Sequence, residues 1–290
     1  MKAIDIHAHP STRPWFESMR PYFEALEAYY KTPFRVRTDE EMAEEFRRAE
    51  IGAMIIAWDA ESTTKLPATT NDYTASLRDR FPDAILGAWA SVDPWKGEEA
   101  VRELERAVRE LNMVGVKFQG VAQAFFPNDR RFYPLYEKCV ELSVPVQFHT
   151  GTTGLGAGTP GGMGLKLKYT QPIHLDDVAA DFPGLTIIAC HPSWPWQSEM
   201  IAILLHKANV YMETSGWSPK YFTPELKKEI AGRLQDKVMF GSDYPVLTHE
   251  RLFRDWDTEN YPAAVLDKFF LSNARRILRL GGDTPRPETR

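Results

Sequence analysis

Short apolar runs alternate along the chain with stretches whose apolar positions recur every three or four residues. The runs fall at 3–7, 53–58, 85–92, 114–118, 144–149, 185–191, 210–213 and 238–241. They are rich in Val, Ile, Phe and Trp, and most carry no charge, as expected for strands covered on both faces. The first intervening stretch, 39–50, follows Thr38 as N-cap and places Glu41 at the third helical position, a capping pattern. Residues 71–80 form a second helical pattern, which stops before Phe81-Pro82, and 97–111 is charged on one face and apolar on the other. Further helical patterns lie at 132–142, 175–181, 197–207, 224–234 and 263–279. Eight strands, each followed by a helix, predict an α/β fold of the (β/α)8 TIM-barrel type. A doubly wound sheet is the competitor, but no Gly-rich dinucleotide turn follows the first strand.

Two connections are longer than the rest. Residues 10–37, after the first strand, carry Trp15, Phe16, Tyr22, Phe23, Tyr29 and Tyr30, and residues 151–171, after the fifth, are dense in glycine. Both follow strand C-termini, the face on which barrels build their sites. They read as loop insertions in one barrel domain spanning 1–280, while the polar, Pro-containing 281–290 reads as a mobile C-terminal tail. The sequence shows no internal repeat and no second domain.

Composition narrows the class without choosing a reaction. The 290 residues are 43% hydrophobic and 26% charged, with a net charge of −5, so no basic field for nucleic acid is present. No apolar run reaches bilayer length. The N-terminus runs directly into a strand rather than a signal peptide, and Cys139 and Cys190 sit in apolar segments. These features predict a cytoplasmic protein without a disulfide framework or a membrane partner.

The chemistry concentrates at strand ends. In Asp5-Ile6-His7-Ala8-His9 the two histidines lie two apart on a strand and so share a face. His149 ends the fifth strand, His191 the sixth and Asp243 the eighth. In a closed barrel those ends converge on one mouth, where imidazoles and a carboxylate suit a metal ion. By the same alternation Asp5 shares the face of His7 and His9 and supports their imidazoles, while Cys190 points away from His191 into the core. His174 is a candidate pocket residue, His206 a structural residue late in a helix, and His249 a candidate for the mouth. Lys117, at the end of the fourth strand, either brings positive charge to the mouth or pairs with a carboxylate. Trp58, Phe125, Phe126, Trp194, Trp196, Trp217 and Tyr244 follow strand ends and together suggest a flat, apolar or aromatic substrate. Arg13, Lys166 and Lys168 in the long connections are candidates to hold a carboxylate or phosphate.

The pieces Asp5-x-His7-x-His9, Phe148-His149-Thr150, Ala189-Cys190-His191-Pro192, Gly241-Ser242-Asp243-Tyr244-Pro245 and Asn273-Ala274-Arg275-Arg276-Ile277-Leu278 occur in order over nearly the whole chain. With them the chain resembles the amidohydrolase superfamily. Within it, the chain is similar to the amidohydrolase-related group that contains aminocarboxymuconate-semialdehyde and resorcylate-type decarboxylases. The resemblance implies one divalent metal per chain held by His7, His9, His149 and Asp243, zinc first and Mn2+ or Fe2+ as alternatives. It also implies Asp243 as general base and His191 as a polarising residue off the metal. In the binuclear branch a carboxylated lysine at the position of Lys117 bridges two metals, and His149 and His191 would then serve the second.

The leading expectation for the reaction is hydrolysis. An activated water attacks an ester, lactone, thioester or β-keto carbonyl of an aromatic or planar small molecule. The alternative is non-oxidative decarboxylation of an aromatic or muconate-type acid, in which an arginine grips a carboxylate, with Arg13, Arg47 and Arg48 as candidates. A non-catalytic metal-binding barrel is the third reading. The stretch 148–169, with His191-Pro192-Ser193-Trp194-Pro195-Trp196, resembles hydrolases of aromatic β-ketoacyl thioesters and would give Lys166 and Lys168 a phosphate-bearing carrier. The aromatic connection after the first strand is a candidate surface for a homo-oligomer.

Overall fold

A computed structural model describes residues 1–280, so the tail expected at 281–290 lies outside the described residues. Eight parallel strands follow one another in sequence order around a single sheet. They are β1 (Ala3–Ala8), β2 (Ile51–Ile56), β3 (Ile85–Ala90), β4 (Gly115–Phe118), β5 (Val146–His149), β6 (Ile187–Cys190), β7 (Val210–Glu213) and β8 (Val238–Met239). The last strand meets the first through backbone bonds. Ile6 N donates to Phe240 O at 3.2 Å, Asp243 N to His7 O at 2.9 Å and His9 N to Tyr244 O at 2.8 Å. The sheet thus closes into the barrel that the strand–helix alternation predicts.

Alternation along the strands builds two apolar layers. Ile4, Ile6, Met54, Ile56, Trp89, Ile188 and Met239 form a buried cluster inside the barrel. Ala3, Ala53, Ile55, Ala88, Val116, Phe148, Ala189, Met212 and Phe240 belong to the larger cluster on which the outer helices pack. These helices include α2 (Asp39–Arg48), α4 (Asn71–Arg80), α5 (Glu98–Arg109), α7 (Tyr133–Glu141), α8 (Ile173–Asp181), α9 (Gln197–His206) and α10 (Pro224–Ala231). Thr38 caps α2 in a full capping box with Glu41, as its sequence predicts. The single helix expected at 263–279 is α12 (Ala263–Asp267) and α13 (Asn273–Ile277) joined through a π-helical segment, Lys268–Ser272.

The sequence reading missed several elements on the mouth side. The connection 10–37, expected as a loop, contains the 18-residue helix α1 (Arg13–Tyr30), which starts with Pro14 in its first turn and buries Trp15, Met19, Tyr22, Phe23 and Leu26. Two one-turn helices, α3 (Glu61–Thr64) and α6 (Gly120–Gln123), and the helix α11 (His249–Asp257) also follow strand ends. Aromatic residues spread over 10–37 suggested an irregular binding loop, yet their spacing also makes one face of a helix.

β1 departs from strict alternation, and the site depends on it. Its register against β2 shifts between Asp5 and Ala8. Ile6 and His7 both face the barrel interior, whereas Asp5 faces outward, so Asp5 does not share the face of His7 and His9. Its carboxylate accepts from His7 N and Ser242 N, each at 3.0 Å, from Ser242 Oγ at 2.5 Å and from His249 Nε2 at 2.7 Å. Asp5 therefore ties β1 to the segment after β8 and to the first residue of α11. His249 is buried as its partner instead of lining the mouth. The Ile6 carbonyl accepts instead from Trp89 Nε1 at 3.0 Å and Gln147 Nε2 at 3.2 Å inside the barrel.

Candidate metal centre

His7 and His9 at the end of β1 meet Asp243, just past β8, above the apolar floor of the barrel. His7 Nε2 lies 3.3 Å from His9 Nε2 and 3.4 Å from Asp243 Oδ1, and His9 Nε2 lies 3.2 Å from the same oxygen. Ligand atoms about 2.05 Å from a tetrahedral ion are spaced about 3.3 Å apart, so this triangle has the dimensions of one face of such a site. Asp243 reaches it because its backbone turns left-handed, with φ 61°. Gly216, at φ +73°, leaves the room, since a Cβ there would stand 2.9 Å from Asp243 Oδ2.

Protonation follows from the partners. His7 Nδ1 donates to Glu213 Oε1 at 2.7 Å, which leaves the Nε2 lone pair aimed at the triangle. A carboxylate behind a histidine is the usual support of a metal ligand, fixing its tautomer and orientation. Burial holds the His7 pKa well below its ordinary value, and the nearby Lys117 charge acts in the same direction. Burial alone would push the Asp243 carboxyl up, but the His9 hydrogen bond and the surrounding imidazoles outweigh it and hold it below the usual carboxylate range. His9 stacks on Trp15 of α1, with ring centroids 4.8 Å apart and planes within 14°. Neutral imidazoles and an ionised carboxylate are the forms that bind a metal.

Glu213 is the residue that sequence reasoning passed over. It is fully buried at the end of β7. Besides His7 it accepts from Ser215 N at 2.6 Å, Ser215 Oγ at 2.9 Å and His191 N at 3.3 Å. Gly241 is required beside it, because a Cβ there would stand 2.2 Å from Glu213 Oε2. The available signal was an acidic side chain inside an apolar run, which demands a buried partner. His7, Cys190 and Glu213 also bring ligand atoms within 4.8 Å of one another. That group is a support and not a second centre, since Glu213 is committed to its donors and burial pushes the Cys190 thiol up.

His191 follows β6 with a left-handed φ of 69°, so it and the preceding Cys190 both turn inward, against the expected alternation. Cys190 Sγ accepts from Lys117 Nζ at 2.9 Å inside the barrel. His191 Nδ1 lies 2.9 Å from Ser215 O, and its Nε2 lies 2.9 Å from His149 Nδ1. His149 Nε2 lies 3.1 Å from Thr152 O. A carbonyl only accepts, so both outer contacts need a ring proton and the contact between the rings needs a third. Two neutral rings carry two, so one contact goes without, and burial lowers the pKa of both. His149 does not join the ligand triangle as expected, because its Nδ1 is turned to His191.

The triangle opens into a cavity of about 770 Å³. Trp58, Trp194, Trp217 and Lys117 line it, together with His149 and His191. α1 contributes Trp15, Met19, Phe23, Leu26, Tyr29 and Tyr30, so this helix roofs the mouth. The glycine-dense connection contributes Thr152, Thr153, Gly154, Leu155 and Ala157. Asp59, Gln119, Gln123 and Arg251 complete the polar wall and were not anticipated.

Several anticipated residues lie outside the cavity wall. Tyr244 is drawn into the packing beside Phe46 and bonds Glu45 at 2.6 Å and Ser11 at 3.0 Å. Trp196 is half-buried at the entry to α9. Lys166 is exposed, and Lys168 lies over the rings of Phe126 and Tyr169 at 5.1 and 5.2 Å. Arg13 pairs with Glu17 and Arg47 with Asp83, both facing solvent, and Arg48 reaches Glu44. His174 accepts no place in the wall either, being held at Lys168 O at 3.0 Å.

Comparison with known proteins gives this arrangement a context. A family model described as amidohydrolase matches residues 4–280. A 2-keto-4-carboxy-3-hexenedioate hydratase of Sphingobium is 30% identical over 139 residues, which cover 42% of this chain and 38% of that relative. An uncharacterised TIM-barrel protein of Bordetella bronchiseptica superposes with a TM-score of 0.78 at 23% identity, covering 97% of this chain and 99% of the other. A 5-carboxyvanillate decarboxylase of Novosphingobium aromaticivorans, in complex with manganese and 4-hydroxy-3-methoxy-5-nitrobenzoic acid, superposes with a TM-score of 0.72 at 18% identity, covering 96% of each chain.

Proposed function

The chain belongs to the amidohydrolase family, and from that premise we propose that it is a metal-dependent carboxy-lyase acting on a planar aromatic or unsaturated acid. The observation that carries this reading is the triangle of His7, His9 and Asp243 at the floor of an aromatic-walled cavity. The donor set fits a divalent cation, zinc or manganese, with His149 as a further ligand once its ring turns from His191. Such a cation supplies Lewis-acid polarisation of a substrate oxygen or of water.

The chain's own residues supply the rest. Glu213 fixes His7 with its lone pair toward the ion. Asp243 Oδ2, beside Gly216, takes up a proton from the substrate or returns one to the carbon that loses carbon dioxide. His191 is anchored through Nδ1 on Ser215, and the same turn of His149 frees its Nε2 to orient a polar substrate group. Trp58, Trp194 and Trp217 provide flat apolar walls, and α1 shields the reacting centre from bulk water.

Hydrolysis uses the same ligands and stays the second reading. It is favoured by the hydratase relative, since water addition and hydrolysis both begin by activating water. The test is a metal-reconstituted substrate panel with elemental analysis. We expect about one metal per chain, carbon dioxide release from hydroxybenzoic or unsaturated dicarboxylic acids, and loss of turnover with a chelator. Acid release from esters, lactones or thioesters without any carbon dioxide would move the assignment to the hydrolase. Absence of bound metal, or two ions per chain, would overturn the proposed centre.

A further inference from the structure

Lys117 poses a physical problem that the metal centre does not solve. Its side chain stands on β4 inside the barrel, is 5% exposed and lines the cavity. No carboxylate lies within ion-pair distance of its Nζ among the described residues. Its hydrogen-bond partner there is Cys190 Sγ, a neutral thiol. An ammonium has three donors, so two N–H groups are left without an acceptor among the described residues. A buried cation lacking a counter-charge is expensive, and such groups are normally paired. The cost is retained here at the wall of the cavity, close enough to His7 and His149 for its charge to bear on both.

The nearby carboxylates are committed elsewhere. Glu213 serves His7 and Ser215, and Asp243 serves the ligand triangle. A divalent ion beside Lys117 adds positive charge to the same floor. The arginines expected to grip a carboxylate lie on the outside of the barrel, paired with Glu17, Asp83 and Glu44.

We propose that Lys117 is the anion anchor of the cavity: its free N–H groups receive a carboxylate of the substrate and hold it at the barrel floor beside the metal ligands. The anchor rests on the proposed function for the ion beside it and narrows the substrate to an acid that enters carboxylate first. Trp58, Trp194 and Trp217 then face the apolar remainder. Arg251, on the wall but exposed and 3.8 Å from Asp255, is a weaker cation for any second acidic group.

The test compares metal-loaded wild type, Lys117→Met and Lys117→Arg by calorimetry, with benzoate and its neutral isostere benzamide as probes. Wild type is expected to bind benzoate at least about tenfold more tightly than benzamide. Lys117→Met should lose about tenfold or more of that preference with metal content and benzamide affinity unchanged, and Lys117→Arg should restore most of it. Without a ligand, Lys117→Met should melt no lower than wild type, because the charge it removes has no partner to lose. A preference that survives in Lys117→Met, or is absent in wild type, overturns the proposal. So does a carbamate carbon signal after exposure to labelled bicarbonate together with two metals per chain. Because the readout is binding, a hydrolytic outcome of the substrate panel would leave this result standing by itself.

Discussion

At the scale of single residues, the centre is a set of strand-end side chains whose states are set by what stands behind them. His7 is the clearest case, because Glu213 holds its Nδ1 proton and so decides which nitrogen faces Asp243. Glu213→Gln keeps the shape and one acceptor but removes the carboxylate. It should lower metal affinity by about 10–100-fold while the fold is retained. Competition with a chromophoric chelator and a melting curve on the same sample check this, and unchanged affinity would leave Glu213 a purely structural residue. The histidines and Asp243 were legible in the sequence because strand ends repeat the same polar types. Glu213 was not singled out, since one acid at the end of an apolar run says that a partner is needed without saying which. Strict alternation places Asp5 on the face of His7 and His9, but the register of β1 shifts between Asp5 and Ala8 and puts it on the other.

At the scale of elements, local signals worked where a helix carries its own ends. Thr38 and Glu41 mark the start of α2, and the structure shows both halves of the capping box. Thr38→Ala removes one half and should cost about 1 kcal/mol of stability. Urea unfolding measures it, with a shifted midpoint and an unchanged slope. α1 is the counter-example. Its N-cap Thr12 makes no side-chain cap bond, and its first turn holds no acidic residue, so the start carries little local signal. What holds it is tertiary: Trp15 stacks on His9 at the end of β1, Phe23 packs edge-on against Phe34, and Gly154 lies against Leu26. A helix of this kind is fixed mainly by the surface beneath it rather than by its own sequence.

At the scale of the molecule, closing the barrel and burying the site are one event. The seam between β1 and the segment after β8 brings His7, His9 and Asp243 together, and Asp5 clasps it through Ser242 and His249. The cost of that burial falls on protonation. His7, His149 and His191 all have pKa values lowered by burial. Their unfolded forms take up protons near pH 6.5, while the native forms stay neutral to lower pH. Stability is therefore complete above about pH 6.5 and falls as the pH drops from there toward the lowered native values. The slope is up to about 1.4 kcal/mol per pH unit for each group. Metal-free protein unfolded in urea between pH 7.5 and 5 should show this loss, and a flat profile would contradict the burial of neutral rings. Bound metal should steepen it, since its ligands must shed protons.

The sequence by itself determined the eight apolar strands, most outer helices and the polar types at the strand ends, because periodicity and strand-end chemistry are local. Tertiary structure decided which faces those residues take. It turned Ile6 and His7 inward together, brought Cys190 and His191 to one side and set Glu213 behind His7. It also laid α1 over the mouth, took Tyr244 into the packing, and left Lys117 buried without a carboxylate partner among the described residues. These outcomes come from register shifts, left-handed turns and contacts between residues more than a hundred positions apart, and a local pattern carries no record of them.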